Sequence, residues 1–169
     1  MGLVLLVVGL GMLSDLILQT SHTREVNREQ SRAVAAACNA AEDLRASDFF
    51  ELFALYNEDP DDDPGGAGTG PGCFFAVPGL EPPEGRPAVG RITFPTVNPE
   101  PGSARCELRE DFVDRKLGMP RDLDVDGIVD DADHSRDYSV LPFAVEVEWQ
   151  GRRGKRSYRL YSMITEMRL

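Results

Sequence analysis

The chain has 169 residues, of which 41% are hydrophobic and 28% are charged, and its formal net charge at pH 7 is −11. This length supports one domain with a modest core. The negative charge disfavours a nucleic-acid partner, because phosphate binding needs Lys and Arg to displace counterions, and it equally disfavours electrostatic docking on anionic lipid.

An apolar run opens the chain and leads into one long predicted helix over residues 1–56. Residues 1–18 are almost entirely apolar, and no glycine or proline lies between Gly11 and Pro60. The run lacks a basic start and a small-residue cleavage site, which argues against a signal peptide. We therefore predict that residues 1–18 form a membrane and assembly segment.

This segment has two features of an incomplete membrane helix. At 1.5 Å per residue it would rise about 27 Å, slightly less than the roughly 30 Å hydrocarbon core of a bilayer. Asp15 would then lie in mid-membrane, at a cost of about 2.5–3.5 kcal/mol on insertion scales. Further apolar residues before Met1 would resolve both problems, so we expect the natural chain to begin upstream of Met1.

Residues 19–56 are predicted to continue the helix in amphipathic form. Small residues recur there at three- and four-residue spacing and so share one face, while the other faces are charged. This face would let a sheet or a second helix approach closely. Its members are Ala33, Ala37, Ala40, Ala41 and Leu44.

Residues 57–169 are predicted to form a β-rich domain outside the cytoplasm. The domain opens with a loop at residues 57–72, whose aspartates lack a regular ligand spacing and are predicted to be solvated. Short strands are predicted at residues 73–77 and 89–94, separated by a connection rich in proline and glycine.

The C-terminal part carries the clearest β pattern. An irregular stretch comes first, for which Leu108, Phe112 and Val113 are the predicted anchors. Apolar residues then alternate with Ala144, Glu146 and Glu148, which predicts one face inward and one outward. A glycine-containing turn and a second alternating run then predict an antiparallel hairpin. The predicted fold class is α+β: a long N-terminal helix, membrane-inserted in its first part, packed on an antiparallel sheet of about four strands.

The three cysteines do not form a metal or redox motif, since no Cys-x-x-Cys pair occurs. If the domain is exported, Cys73 and Cys106 could be bridged, which would leave Cys38 alone in the helix. The alternative is that both are buried thiols.

Residues 122–133 carry the sharpest chemical motif of the chain. Carboxylates at the first, third and fifth positions can surround a hard cation, Gly127 permits the sharp turn, and the seventh position offers a backbone carbonyl. The twelfth position is an aspartate rather than the glutamate of an EF-hand, so the loop is similar to those of dockerins and thrombospondin type 3 repeats. We predict a structural calcium site rather than an unoccupied acidic turn, with magnesium less favoured. The predicted ligands are Asp122, Asp124, Asp126, Ile128, Asp130 and Asp133.

No catalytic constellation is recognisable. Asp133, His134 and Ser135 are the residue types of a catalytic triad, but adjacent side chains diverge, so His134 is predicted to be an exposed loop histidine. Phosphate-binding, dinucleotide-binding and zinc-protease motifs do not occur. We predict a protein that is not an enzyme and has no small-molecule substrate.

The apolar run, its amphipathic continuation and the closing hairpin together resemble the type IV pilin superfamily. Residues 5–11 are similar to the middle of the N-terminal segment of minor pilins and type II secretion pseudopilins. The family's Gly-Phe cleavage site for prepilin peptidase, and the glutamate after it, are absent and would lie upstream of Met1. Calcium in the C-terminal region also occurs in pseudopilins.

The resemblance implies a minor pilin or pseudopilin of a type IV pilus or type II secretion system. Such a subunit is a single-pass protein of the bacterial inner membrane before assembly, with its C-terminal domain in the periplasm or outside the cell. Its partners are other pilin or pseudopilin subunits, contacted through the N-terminal helix. The alternative is a membrane-anchored calcium-binding adhesin or receptor domain that does not polymerise.

Overall fold

A computed structural model gives the fold of the protein. It describes residues 23–99, 105–152 and 154–166 in full, and it gives the helical course of residues 2–22 without their side chains. The membrane and assembly segment predicted at residues 1–18 therefore lies outside the fully described residues. Within the described part of the chain, no helix is both long enough and apolar enough to cross a membrane.

Helix α1 spans Gly2–Ala46. Among the described residues, it is followed by a 3₁₀ turn, a short helix and then strands. Its small-residue face, defined by the alanines and Leu44 named above, is buried against strands of the main sheet. Alanine side chains extend little beyond the backbone, so the helix approaches the sheet closely. Arg45 at the end of α1 donates a hydrogen bond to Ser162 Oγ, at 3.0 Å, and so ties the end of the helix to the sheet.

The predicted fold class was wrong, first of all in its helix. The helix ends at Ala46 and does not continue to residue 56; over the fully described residues it covers 23–46. Asp48 takes an extended conformation, and its side chain accepts a hydrogen bond from Phe50 N, which caps a 3₁₀ turn, Phe49–Glu51. This turn leads into α2, Leu52–Tyr56. An aspartate favours such a cap over a helix interior, and this preference breaks the predicted helix.

The prediction was also wrong in its single sheet, because the strands form two sheets. The strands are β1 (Phe74–Phe75), β2 (Gly90–Thr93), β3 (Thr96–Val97), β4 (Glu107–Leu108), β5 (Val140–Gly151) and β6 (Gly154–Thr165). Four antiparallel strands form the main sheet in the order β1-β2-β5-β6, and β3 pairs with β4 in a separate antiparallel pair. The described architecture therefore differs from a pilin-like single long helix on one sheet.

The predicted C-terminal hairpin is confirmed. Strands β5 and β6 pair along their full length, from Val140 opposite Thr165 to Gly151 opposite Gly154. Four apolar side chains of β5 point toward α1 and are fully buried: Phe143, Val145, Val147 and Trp149. The Trp149 indole N–H donates to Glu29 Oε2 of α1 at 3.1 Å, so the hairpin is joined to the helix by a polar contact as well as by packing.

The other face of β5 was predicted to point outward, and this prediction was wrong. Ala144, Glu146 and Glu148 are only 5–7% exposed. Glu146 is bound by Arg86 and Arg159, and the Glu148 carboxylate lies 2.7 Å from Lys155 Nζ. The alternation of polar and apolar residues identifies this face of the strand. It does not predict that the aliphatic parts of arginine and lysine side chains will cover the face.

The segment between β4 and β5 is held beside the start of β5, whereas Val113, a predicted anchor nearer β4, is 77% exposed. The Leu123 carbonyl accepts hydrogen bonds from Ser139 N at 2.7 Å and Val140 N at 2.9 Å, at the start of β5. Just before that strand, the buried Tyr138 hydroxyl donates to Phe49 O at 2.6 Å and accepts from Phe53 N at 3.2 Å. The aspartate-rich segment is thus held against both the sheet and the α2 region.

Candidate metal centre

The loop at residues 122–127 is folded by its own carboxylates. The two carboxylate oxygens of Asp122 accept hydrogen bonds from Val125 N at 2.6 Å and Gly127 N at 2.8 Å. Asp124 and Asp126 each accept from the backbone N–H two residues further on, at 3.0 and 2.7 Å. These contacts between side chains and nearby backbone N–H groups are typical of tight aspartate turns.

Two residues of the loop have a left-handed backbone. Gly127 has a φ of 93°, which glycine adopts without strain, and this agrees with its predicted role in the turn. Val125 has a φ of 69°, a rare conformation for a β-branched residue. The hydrogen bonds to Asp122 therefore hold the loop in a shape that the valine by itself disfavours.

Glu110, from the segment after β4, lies at the centre of the loop and was not predicted. Its side chain is 1% exposed. One carboxylate oxygen accepts from the Leu123 and Asp124 backbone N–H groups, and the other accepts from Asp130 N at 3.1 Å. Glu110 therefore brings both halves of the loop around a single buried carboxylate. Together with Asp122 and Asp124 it offers oxygen atoms within 4.8 Å of one another.

His134 is the second residue of the centre that the sequence did not reveal. The prediction of an exposed loop histidine was wrong, since His134 is 6% exposed. Its Nε2 lies 3.2 Å from Asp130 Oδ1, and its Nδ1 lies 3.2 Å from Asp137 Oδ1. Carboxylates of Glu110 and Asp124 follow at 3.9 Å. The imidazole is thus surrounded by four carboxylates and belongs to two of the three potential metal-binding groups.

The structure brings together only some of the predicted ligands. Asp122, Asp124 and Asp130 contribute to the three groups. Asp126 belongs to none of these groups among the described residues, and the Ile128 side chain is 62% exposed. Asp133 faces a different way: its Oδ1 accepts hydrogen bonds from Leu108 N at 3.2 Å and Ser135 N at 3.1 Å. Glu110, which the sequence pattern does not include, belongs to two of the groups found among the described residues.

The titratable groups of the centre shift in different directions. Desolvation acts to raise the pKa of Asp122, but hydrogen bonds from Gly127 and Val125 outweigh it, so this pKa is lowered. A hydrogen bond from Asp126 N acts to lower the pKa of Asp124, but desolvation and the charge of Asp126 outweigh it, so this pKa is raised. Burial acts to lower the pKa of His134, but its bond to Asp130 and the charges of Glu110 and Asp137 outweigh this effect and raise it. The centre therefore favours a positive charge among its carboxylates.

The carboxylates and the imidazole of this arrangement could hold a metal ion. Carboxylate oxygens from two chain segments converge, as calcium requires, while the imidazole is a nitrogen donor that calcium does not need. The imidazole would instead suit a transition metal, so His134 is the residue that distinguishes the two kinds of ion. No family of proteins, curated protein sequence or solved structure was found to match the chain.

Proposed function

We propose that the protein is a non-enzymatic filament subunit, a minor pilin or pseudopilin of a type IV pilus or type II secretion system. It assembles through its N-terminal helix, and calcium bound by the loop at residues 122–133 stabilises its C-terminal domain. The observation that carries the proposal is the unequal distribution of apolar residues along α1.

Large apolar residues are concentrated in the first part of α1. Twelve of the 17 residues from 2 to 18 are Leu, Ile, Val or Met, against three of the 24 residues from 23 to 46. The described part of the helix supplies the core with alanines and a single large side chain, Leu44. A run as apolar as residues 2–18 must be buried by a bilayer or by other apolar helices. Both surroundings are available to a subunit that moves from a membrane into a filament.

The described contacts of α1 support the proposal that its two parts have different roles, one in assembly and one in carrying the domain. Among the described residues of the helix, Glu25 pairs with Arg152 of the hairpin tip at 3.1 Å, and Arg45 binds Ser162 of β6. Residues 23–46 of the helix therefore contact the domain. This arrangement suits a helix that carries a folded domain while its apolar run contacts something else.

Calcium would have a structural task in such a subunit. Glu110 comes from a different part of the segment between β4 and β5 than Asp122 and Asp124, and a cation shared by these three carboxylates would hold the two parts together. Because a ligand that binds only the native state stabilises it, calcium would keep the domain folded outside the cell, where this ion is plentiful.

The proposal is tested by fractionating the natural host. Tagged full chain and a variant lacking residues 2–18 are expressed in place of the native copy, and sheared filaments or secretion-complex membranes are isolated. The full chain should copurify with other pilin-type subunits, and the deletion variant should be lost from both fractions. Recovery of the full chain in membranes but never with such subunits would favour the anchored adhesin or receptor domain. Recovery of both forms in the cytosol would contradict both functions.

A further inference from the structure

Cys73 and Cys106, which are far apart in sequence, line the same cavity. The cavity has a volume of about 300 Å³ and is bordered by Glu58 and Arg91, which form an ion pair. Cys73 is buried, at 3% exposure, and Cys106 is partly exposed. The third cysteine, Cys38, is exposed on α1 and is absent from the lining of this cavity.

The backbone holds each cysteine beside one of two strands that follow each other closely in the chain. The Cys73 carbonyl accepts a hydrogen bond from Ile92 N of β2 at 2.7 Å, directly before β1 begins. Cys106 directly precedes β4, whose Glu107 pairs with Val97 of β3. Strands β2 and β3 are separated by only two residues, so the main sheet and the two-stranded sheet present one cysteine each to the space between them.

We propose that Cys73 and Cys106 are a disulfide site that staples the main sheet to the two-stranded sheet. The inference rests on the proposed function in one respect: a domain outside the cytoplasm meets the oxidising conditions and the disulfide donor that the bond needs. The donor is a thiol–disulfide oxidoreductase in its disulfide form.

The exchange proceeds in two balanced steps. The partly exposed Cys106 sulfur, as a thiolate, attacks one sulfur of the donor disulfide, which forms a mixed disulfide and releases the first donor thiolate. The Cys73 thiolate then attacks the Cys106 sulfur, which closes the internal bond and releases the second donor thiolate. The two protons lost by the cysteines end on the donor thiolates. The chain is oxidised by two electrons and the donor is reduced to a dithiol.

The surroundings of the thiols explain why a donor is needed. Burial, followed by the charge of Glu58, raises the pKa of the Cys73 thiol to about 11, and the same two causes raise that of Cys106. At neutral pH both are therefore mostly protonated, and spontaneous oxidation is slow, because the thiolate is the reactive form.

The bridge should stabilise the protein measurably. It would close a loop of about 33 residues, and a loop of this size should raise the Tm by roughly 5–10 °C relative to the reduced chain. It would also fix the segment between the cysteines, which contains β1, β2 and β3.

The test uses purified full-length protein carrying Cys38→Ser, in detergent, equilibrated with oxidised and reduced glutathione. We expect a Cys73–Cys106 linked peptide in the oxidised sample, a mass loss of about 2 Da for the two hydrogen atoms removed, and a Tm that dithiothreitol lowers. The matched control is the variant in which Cys73 and Cys106 are also replaced by serine, whose Tm should not respond to dithiothreitol. If that variant does not fold, the response of the Cys38→Ser chain alone decides.

An oxidised sample that contains only glutathione adducts or links between molecules would overturn the inference, as would a Tm that dithiothreitol leaves unchanged. This experiment does not depend on the filament assay, because the disulfide donor is supplied in the tube. Failure of the host fractionation together with success here would leave the disulfide site standing without the proposed function. The reverse result would remove the disulfide site alone.

Discussion

The carboxylate of Glu110 lies against the imidazole of His134, with Oε2 at 3.9 Å from Nε2, and both side chains are buried. Neither residue belongs to the pattern of aspartates that predicts the calcium loop. Glu110 nevertheless holds that loop through the backbone N–H groups of Leu123 and Asp130. The loop is therefore organised by a carboxylate from another segment, and a bound cation would join the two segments.

Calcium should raise the Tm of the full chain by roughly 5–10 °C when its concentration is about 100 times the Kd. The paired substitution Asp122→Ala and Asp124→Ala should abolish this rise, because both carboxylates belong to the same group as Glu110. Differential scanning calorimetry with and without EGTA measures the effect. Asp133→Asn is the matched control and should keep the response, since Asp133 points toward Leu108 N. A response that survives the paired substitution would rule out this loop as the site.

Replacement of Glu110 by Gln should destabilise the protein even without calcium. The neutral amide is a weaker acceptor for the three backbone N–H groups that Glu110 now serves, and it can present an N–H group to one of them, so a loss of about 1–3 kcal/mol is expected in urea unfolding. Asp131→Asn is the control, because Asp131 is 87% exposed and should change stability little. Equal effects of the two substitutions would mean that Glu110 does not organise the loop.

His134→Gln distinguishes calcium from a transition metal. If calcium is the natural ion, the variant should keep most of the calcium-induced rise in Tm, because the carboxylate ligands remain. A transition metal would depend on the imidazole nitrogen and would lose its effect. Parallel titrations of both proteins with calcium and with zinc provide the comparison. If His134→Gln lost the calcium response but kept the zinc response, a calcium site built from oxygen ligands would be contradicted.

Glu146 should make the stability of the protein depend on pH in the acidic range. Burial acts to raise its pKa, but hydrogen bonds from Arg86 and Arg159 outweigh burial and hold the pKa below 4.5. A carboxyl group whose pKa is lower in the folded than in the unfolded protein stabilises the fold at pH values above its unfolded pKa. This stabilisation is lost as the pH falls through the folded pKa. Glu146→Gln should therefore be less stable than the natural chain by about 1–3 kcal/mol at pH 7, with a difference that narrows below about pH 4. A difference that is constant from pH 7 to pH 3 would contradict this account.

Tyr138→Phe should loosen the attachment of the loop segment to the α2 region. The substitution removes the hydroxyl that donates to Phe49 O and accepts from Phe53 N, leaving buried backbone groups without their partner, at about 1–3 kcal/mol. Tyr158→Phe, in a partly buried position of β6, is the matched control. In urea unfolding, Tyr138→Phe should have a lower midpoint than Tyr158→Phe. Equal midpoints would show that the Tyr138 hydroxyl contributes nothing to stability.

Much of the architecture could be predicted from local patterns, and the exceptions have identifiable causes. Alanine spacing found the packed face of α1, and strict alternation found the β5–β6 hairpin. The end of α1 was missed because the capping preference of Asp48 was weighed less than the absence of glycine and proline. The second sheet was missed because β3 and β4 are two residues each, too short for any period to be visible.

The candidate metal centre shows the same division between local and distant information. The spacing of aspartates predicts Asp122, Asp124 and Asp130 as ligands, and the structure places these three in groups that could hold an ion. Glu110 and His134 reach the centre through tertiary folding, and no ligand spacing includes them. A weak signal was present for Glu110, because it lies midway between Leu108 and Phe112 and thus shares their inward-facing alternation.

Cross-linking in the natural host tests the central claim most directly, namely that the apolar part of α1 mediates assembly. A photoreactive phenylalanine derivative replaces Leu6 in one variant and the exposed Met163 of β6 in the control, and sheared filaments or secretion-complex membranes are irradiated. The account predicts that the probe at residue 6 joins the chain to the N-terminal helix of another pilin-type subunit, more strongly than the probe at residue 163. A probe at residue 6 that labels only lipid, in preparations whose filaments are intact, would contradict it.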